Sequence, residues 1–277
     1  MTSSGTARLR SLAEWRDAWA VWHASESEAL ALAAAGLLKG RCGLCERETG
    51  FDSSPGSPSA WREGLLCRHC RCNARQRAAG TILLELLERP AQARVYATEQ
   101  SSAFYLALRK RVGRLHGSEF AIGLWQRAHL MLWLLRRGAW PWIRSEDATA
   151  LRWPDAAMDG IVSLDVLEHV PDYRAALGEF ARVLRPGGAL ALTVPFYEGQ
   201  AANVQIARLD AQGRVEHFGE PEFHGDPVRG GVPCFHHFGW ALLDDIRAAG
   251  FADAEICRVQ DVAAGLPQGQ WVLTARR

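Results

Sequence analysis

Four cysteines fall into two C-x-x-C pairs, Cys42-Gly-Leu-Cys45 and Cys67-Arg-His-Cys70. Each pair lets a tight turn present two thiolates to one ion, and two pairs complete a closed tetrahedral site of the structural zinc type. The segment between them has no helical or strand periodicity, and Asp52-Ser-Ser-Pro-Gly-Ser-Pro-Ser59 is loop by composition, so a metal is expected to order it. The run Cys67-Arg-His-Cys-Arg-Cys72 offers more donors than four ligands require. Cys67 and Cys70 are preferred, with Cys72 and His69 as alternatives. No strand-to-helix context surrounds either pair, which argues against a redox dithiol.

A second concentration of reactive side chains lies between Phe196 and Gly239, where His217, Glu222, His224, Asp226, His236 and His237 accompany Tyr197, Phe223, Phe235 and Phe238. A connection this long marks a lid or a substrate pocket, with the aromatic rings as walls. His224 in Phe223-His-Gly-Asp-Pro227, supported by Asp226, is the expected general base, with His169 as its rival. The spacings match no metal-ligand motif.

The elements that must position these groups alternate. Strands are expected at Arg94 to Thr98, Arg114 to Ser118, Trp142 to Arg144, Gly160 to Leu164, Ala189 to Val194, Ala254 to Val259 and Gln270 to Ala275. Helices are expected at 8 to 36, Asn73 to Glu88, Ala103 to Arg111, Leu124 to Arg136, Tyr173 to Leu184 and Trp240 to Ala249, the last stopped by Gly250. Leu12, Trp15, Trp19 and Trp22 form one apolar stripe on the first helix and predict packing against a core. Strand and helix in alternation imply an α/β fold with a mostly parallel sheet. A carboxylate just after such a strand lies where these sheets bind ligands, and it accepts hydrogen bonds from amines and hydroxyls.

One stretch carries three motifs in order: Ser145-Glu-Asp-Ala-Thr-Ala-Leu-Arg-Trp-Pro-Asp155, then Met158-Asp-Gly-Ile-Val-Ser-Leu-Asp-Val-Leu-Glu-His-Val-Pro171, then Arg182-Val-Leu-Arg-Pro-Gly-Gly188 with Leu192-Thr-Val-Pro195. From about Arg94 to the C-terminus the chain resembles the class I S-adenosylmethionine-dependent methyltransferases of the type 11-like group. The resemblance implies a Rossmann-like seven-stranded sheet, mostly parallel with an antiparallel last strand. It also implies S-adenosylmethionine as methyl donor. On the matching positions, Asp147 and Ala148 face the adenine, Glu119 after the second strand takes the ribose hydroxyls, and Asp165, Val166 and Leu167 leave the fourth strand at the cofactor crevice. The chain departs from the family after the first strand, where Val95-Tyr-Ala-Thr-Glu-Gln-Ser-Ser102 replaces the glycine-rich loop. Glu99 is expected to hold the cofactor's amino group there.

The division expected is an N-terminal helical and zinc-binding module, residues 1–78, and a methyltransferase domain, 79–277, with a substrate insertion at about 196–239. Its net charge of +1 predicts no broad attraction to nucleic acid or acidic membranes, and no apolar run approaches the length of a membrane span. An odd count of seven cysteines, without a secretory leader at the N-terminus, points to the cytoplasm. The function expected is methyl transfer to a hydroxyl or amine of a small metabolite. Two alternatives stand beside it. One is a fold that has lost methyl transfer and serves as a partner subunit or in other chemistry. The other is an RNA methyltransferase gripping phosphates with Arg68, Arg71, Arg75 and Arg77. A protein partner or a homodimer is compatible with each.

Overall fold

A computed structural model describes residues 5–34, 38–53, 61–120, 123–225 and 231–277. The described chain begins with β1 (Gly5–Leu9) and the long α1 (Leu12–Ala34). There follow β2 (Lys39–Arg41), β3 (Glu48–Ser53), the single turn α2 (Trp61–Gly64), β4 (Leu65–Cys67) and α3 (Ala74–Leu86). Next come β5 (Arg94–Ala97), α4 (Ala103–Leu108), β6 (Arg114–Gly117), α5 (Leu124–Leu135), β7 (Met158–Leu164), α6 (Tyr173–Val183) and β8 (Leu184–Thr193). Six short strands fill the expected insertion: β9 (Val204–Gln205), β10 (Ala207–Leu209), β11 (Val215–His217), β12 (Phe223–His224), β13 (Val232–Pro233) and β14 (His236–His237). The chain closes with α7 (Leu242–Ala248), β15 (Asp253–Asp261) and β16 (Leu266–Arg276).

The main sheet has seven strands in the order β1-β15-β16-β8-β7-β5-β6. The segment β8-β7-β5-β6 is parallel, and β16, β15 and β1 are joined to it by antiparallel pairings. This is the Rossmann-like sheet expected, with one exchange of strands. Trp142 to Arg144 do not form a strand and leave only a one-residue bridge, Glu119 to Ser145. Pro141 removes a backbone donor at the head of that segment. The seventh strand is instead β1, paired along its whole length with β15. The first helix therefore starts at Leu12 rather than at residue 8, and α4 ends at Leu108, short of Arg111.

Helix positions follow from side-chain spacing and caps. In α6, Tyr173, Ala176, Leu177, Phe180 and Ala181 are buried at helical intervals, and Asp172 caps the start by accepting from Ala175 N at 3.0 Å. Asn73 and Gln76 make a reciprocal capping box at the head of α3. That helix packs against β7, β8 and β16. The expected boundary at residue 78 falls inside α3, and one core joins Phe51, Leu65 and Cys67 to Val95, Val162 and Val272. The residues of the expected N-terminal module and the sheet thus share apolar surface. Leu12, Trp15 and Trp22 pack on the second core, as the stripe on α1 predicts, whereas Trp19 of the same stripe is exposed. By contrast α5 leaves Leu124 84% and Trp125 91% exposed.

Candidate active site

The four cysteines of the two C-x-x-C pairs converge. Cys42 Sγ is 4.0 Å from Cys70 Sγ, and Cys45 Sγ is 3.9 Å from Cys67 Sγ. A tetrahedral zinc with metal–sulfur bonds of about 2.3 Å needs sulfur–sulfur edges of about 3.8 Å, so the spacing fits that ion. Cys72 and His69 stand outside the cluster. Cys72 is buried, with its thiol directed at the Cys70 carbonyl oxygen. Two of the nearby arginines turn inward. Arg77, 1% exposed, donates to the carbonyl oxygens of Leu65, Ala264 and Gly265, and Arg75 is held by Glu63 and Asp165.

The carboxyl ends of β5, β6 and β7 carry the expected acids. Glu119, two residues past β6, accepts at Oε1 from the backbone N–H groups of Gln100, at 3.0 Å, and Ser101, at 2.7 Å. A glycine-poor loop is thereby fixed by a side chain from the next strand. The two loops approach so closely that a Cβ on Gly117 would lie 2.7 Å from the Glu99 carbonyl oxygen. Glu99 lies within this loop, and its buried Oε1 has no hydrogen-bond partner. Burial, reinforced by the charges of Glu119 and Asp165 against the opposing pull of Ser102 and Arg75, raises its carboxyl to about 7.

Asp165 follows β7 with a φ of +49°, a left-handed conformation that its surroundings enforce. Its carboxylate accepts from Arg62 Nη2 and from Thr193 Oγ1, each at 2.8 Å, and Arg75 Nε lies 3.2 Å away. Burial alone would raise this group, but Arg75 and Arg62 outweigh it and hold the carboxyl below its ordinary range. Val166 and Leu167 continue from it, with Leu167 buried at the start of a 3₁₀ turn, Leu167–His169. Asp147 is exposed, and its carboxylate closes its own turn by accepting from Thr149 N at 2.9 Å and Thr149 Oγ1 at 2.7 Å, while Ala148 packs against the core.

The insertion folds over the 3₁₀ turn. Phe235 N donates to the Glu168 carbonyl oxygen at 2.7 Å, and His169 Nδ1 meets the Pro233 carbonyl oxygen at 2.9 Å. His169 and His224 stand edge to face with ring centroids 5.5 Å apart. The two expected rivals for the base are thus brought together. Asp226 lies outside the described residues. Among the described residues, Glu222 meets His224 Nε2 at 2.9 Å and His237 Nε2 at 2.6 Å. His236 is structural: buried, it is bonded to the Pro171 carbonyl oxygen at 3.0 Å and packed on Tyr173. Phe235 and Phe238 are buried too, while Tyr197 lies against the His237 ring.

Sequence reasoning passed over Glu168, although it stands inside the motif that follows β7. It is 1% exposed, and neither carboxylate oxygen has a hydrogen-bond partner among the described residues. Burial, with the negative Asp165 nearby, raises its carboxyl to about 8. Arg62 and Cys234 were passed over as well, because nothing in their spacing ties them to the strand ends they reach.

Comparison with known proteins bears on this geometry. A 27-O-demethylrifamycin SV methyltransferase of Amycolatopsis mediterranei is 41% identical over 73 residues, 25% of this chain and 27% of that one. An O-methyltransferase of Aspergillus nomiae is 38% identical over 104 residues, 36% of this chain and 43% of its own. Each match takes in less than half of the relative's own length. A solved S-adenosylmethionine-dependent methyltransferase from Mesorhizobium loti is 18% identical, covering 72% of this chain and 98% of that chain at a TM-score of 0.46. Residues 78–192, which hold most of α3, the parallel strands and the acids at their carboxyl ends, match the family model described as a methyltransferase domain.

Proposed function

We propose that the chain transfers a methyl group from S-adenosylmethionine to a hydroxyl or amine of a small metabolite, such as a natural-product intermediate. The observation that carries this reading is Glu99: a buried carboxylate oxygen without a partner, at the carboxyl end of a central parallel strand, suits a cationic ligand. S-adenosylmethionine brings a sulfonium and an ammonium group, and Glu99 would pair with the ammonium. Glu119 keeps Oε2 for the ribose hydroxyls while Oε1 holds the loop. Asp147 and Ala148 would border the adenine, and Asp165, Val166 and Leu167 the methionine side.

Methyl transfer is an in-line displacement at carbon, so alignment of acceptor and methyl group supplies most of the acceleration; effective molarities for well-oriented groups reach roughly 10⁵ to 10⁸ M. The insertion supplies the acceptor side, and the groups in place to receive the acceptor's proton are Glu168, His169 and His224. The two relatives named above, one a rifamycin methyltransferase and the other an O-methyltransferase, support a small hydroxylated acceptor. An RNA acceptor is disfavoured by the inward engagement of Arg75 and Arg77. The cysteine cluster would hold a structural zinc, which leaves no coordination position for chemistry. Seven free cysteines suit a reducing compartment, and we read the chain as cytoplasmic.

Isothermal titration of the full chain with S-adenosylmethionine tests the reading. Binding that weakens at least tenfold in Glu119→Ala supports it; absence of binding by folded protein overturns it in favour of a fold that has lost methyl transfer.

A further inference from the structure

We infer that the insertion builds a second metal site, distinct from the cysteine cluster, in which His169, His224 and Cys234 hold a divalent transition metal of the zinc type with one coordination position open toward Glu168. One donor atom from each of the three residues lies within 4.8 Å of the other two. They come from two separate parts of the chain, the 3₁₀ turn after β7 and the β12–β13 region, which the Pro233 and Phe235 hydrogen bonds clamp together.

His169 uses Nδ1–H to donate to the Pro233 carbonyl oxygen, so its Nε2 carries the lone pair. His224 uses Nε2–H to donate to Glu222, so its lone pair is on Nδ1. Both lone-pair nitrogens are directed at Glu168 Oε1, at 3.8 Å and 4.0 Å. Those separations are too long for hydrogen bonds, so neither imidazole satisfies the carboxylate directly. Acceptors thus gather around a carboxylate that is itself 1% exposed and without any hydrogen-bond partner among the described residues, and the buried Cys234 Sγ lies beside His169, 3.9 Å from its Nδ1. A cation held by the two imidazoles and the thiolate would lie beside that carboxylate and offset its charge across the open position. The surrounding pattern is also that of a metal site, since each imidazole is oriented by an oxygen acceptor on its far nitrogen. Glu222 reinforces it by accepting from His237 as well.

Two imidazoles and a thiolate form a borderline-soft set that favours zinc over magnesium or calcium. Three protein ligands with an open fourth position are the arrangement of catalytic rather than structural zinc, and an oxygen-bearing acceptor is the chemical class that would complete it. The inference goes beyond the methyl-transfer reading and stands on the 3₁₀ turn and the insertion; with His169 and His224 on the metal, neither would serve as the base.

The test is zinc content and zinc K-edge absorption of the full chain after loading with zinc and removal of excess. About two zinc ions per chain are expected, with an average of about 2.5 sulfur ligands per zinc. One zinc with about four sulfurs would overturn the inference. His224→Ala and Cys234→Ser should each fall to one zinc with an all-sulfur shell, and folded variants that retain two would equally overturn it. Titration of the same samples with S-adenosylmethionine separates the two readings. Two zinc ions without cofactor binding sinks methyl transfer alone, and cofactor binding with one zinc sinks the second site alone.

Discussion

Glu99 gives the cofactor reading a signature that titration can measure. In the free protein its carboxyl titrates near pH 7, so at pH 6 roughly one molecule in eleven carries the anion and at pH 7 about half do. An ammonium group bound beside it favours the ionised form and draws the pKa back toward the carboxylate range. Binding therefore releases a proton, about half of one per event at pH 7. Affinity should rise as pH rises, by about fivefold between pH 6 and pH 7, because only the ionised fraction binds well. The window ends before the ligand's own α-amino group, with an ordinary pKa of about 7.7 to 8.0, begins to lose its charge. Calorimetry in two buffers of different ionisation enthalpy reads the proton directly. Glu99→Gln is the reference, since it keeps the shape, loses the anion and should bind weakly with a flat profile over this interval. If wild type and Glu99→Gln run parallel with pH, and the buffer does not alter the measured enthalpy, Glu99 does not face the cofactor's cation.

Three further outcomes follow from residues around the same site. Arg75→Met leaves the buried Asp165 with Arg62 and Thr193 as partners and should destabilise the fold by about 3 kcal/mol in urea unfolding; a change under about 1 kcal/mol would show that Asp165 relaxes into solvent. Gly265 has a φ of +70°, and a Cβ there would sit 2.4 Å from Phe51 Cγ. Gly265→Ala should therefore lower stability by about 2 kcal/mol or more, read as a lower thermal midpoint. A zinc ion in the cysteine cluster would stabilise the whole chain, so chelation of zinc-loaded protein, or Cys42→Ser, should lower the midpoint of the whole chain, because Cys42 and Cys67 lie in the same core as Val95 and Val162. A separate early transition with the main midpoint unchanged would contradict that shared core.

The parallel centre of the fold was legible because its strands are continuous apolar runs and its helices carry caps and period. Ala189 to Val194 and Tyr173 to Leu184 are of this kind. The edge was not. Gly5–Leu9 reads Gly-Thr-Ala-Arg-Leu, with mostly exposed side chains, and acquires its strand only by pairing with β15, a long-range choice that local pattern does not record. Trp142 and Ile143 look like strand residues by type, yet Pro141 and the turns around them prevail. The cysteine spacing disclosed its cluster because four donors of one type repeat a short motif. Glu168 was hidden for the opposite reason: one acid in a run that also carries Asp165 and His169 has no spacing to distinguish it, and its isolation from donors exists only in three dimensions. Arg62, remote in sequence from Asp165, is a further case of that kind.

The grip of Arg62 and Arg75 on Asp165 makes the zinc-module segment and the cofactor face parts of one equilibrium. Both arginines come from the segment that Cys67 and Cys70 anchor, and both reach the strand end beside which the cofactor would lie. Any ligand that tightens Asp165's surroundings must, by reciprocity, tighten the segment that supplies the arginines, and a metal in the cysteine cluster would do the same in return. Metal occupancy of the cysteine cluster would then act as an effector: emptying it would lower affinity for the cofactor by the same factor by which the cofactor would raise affinity for zinc.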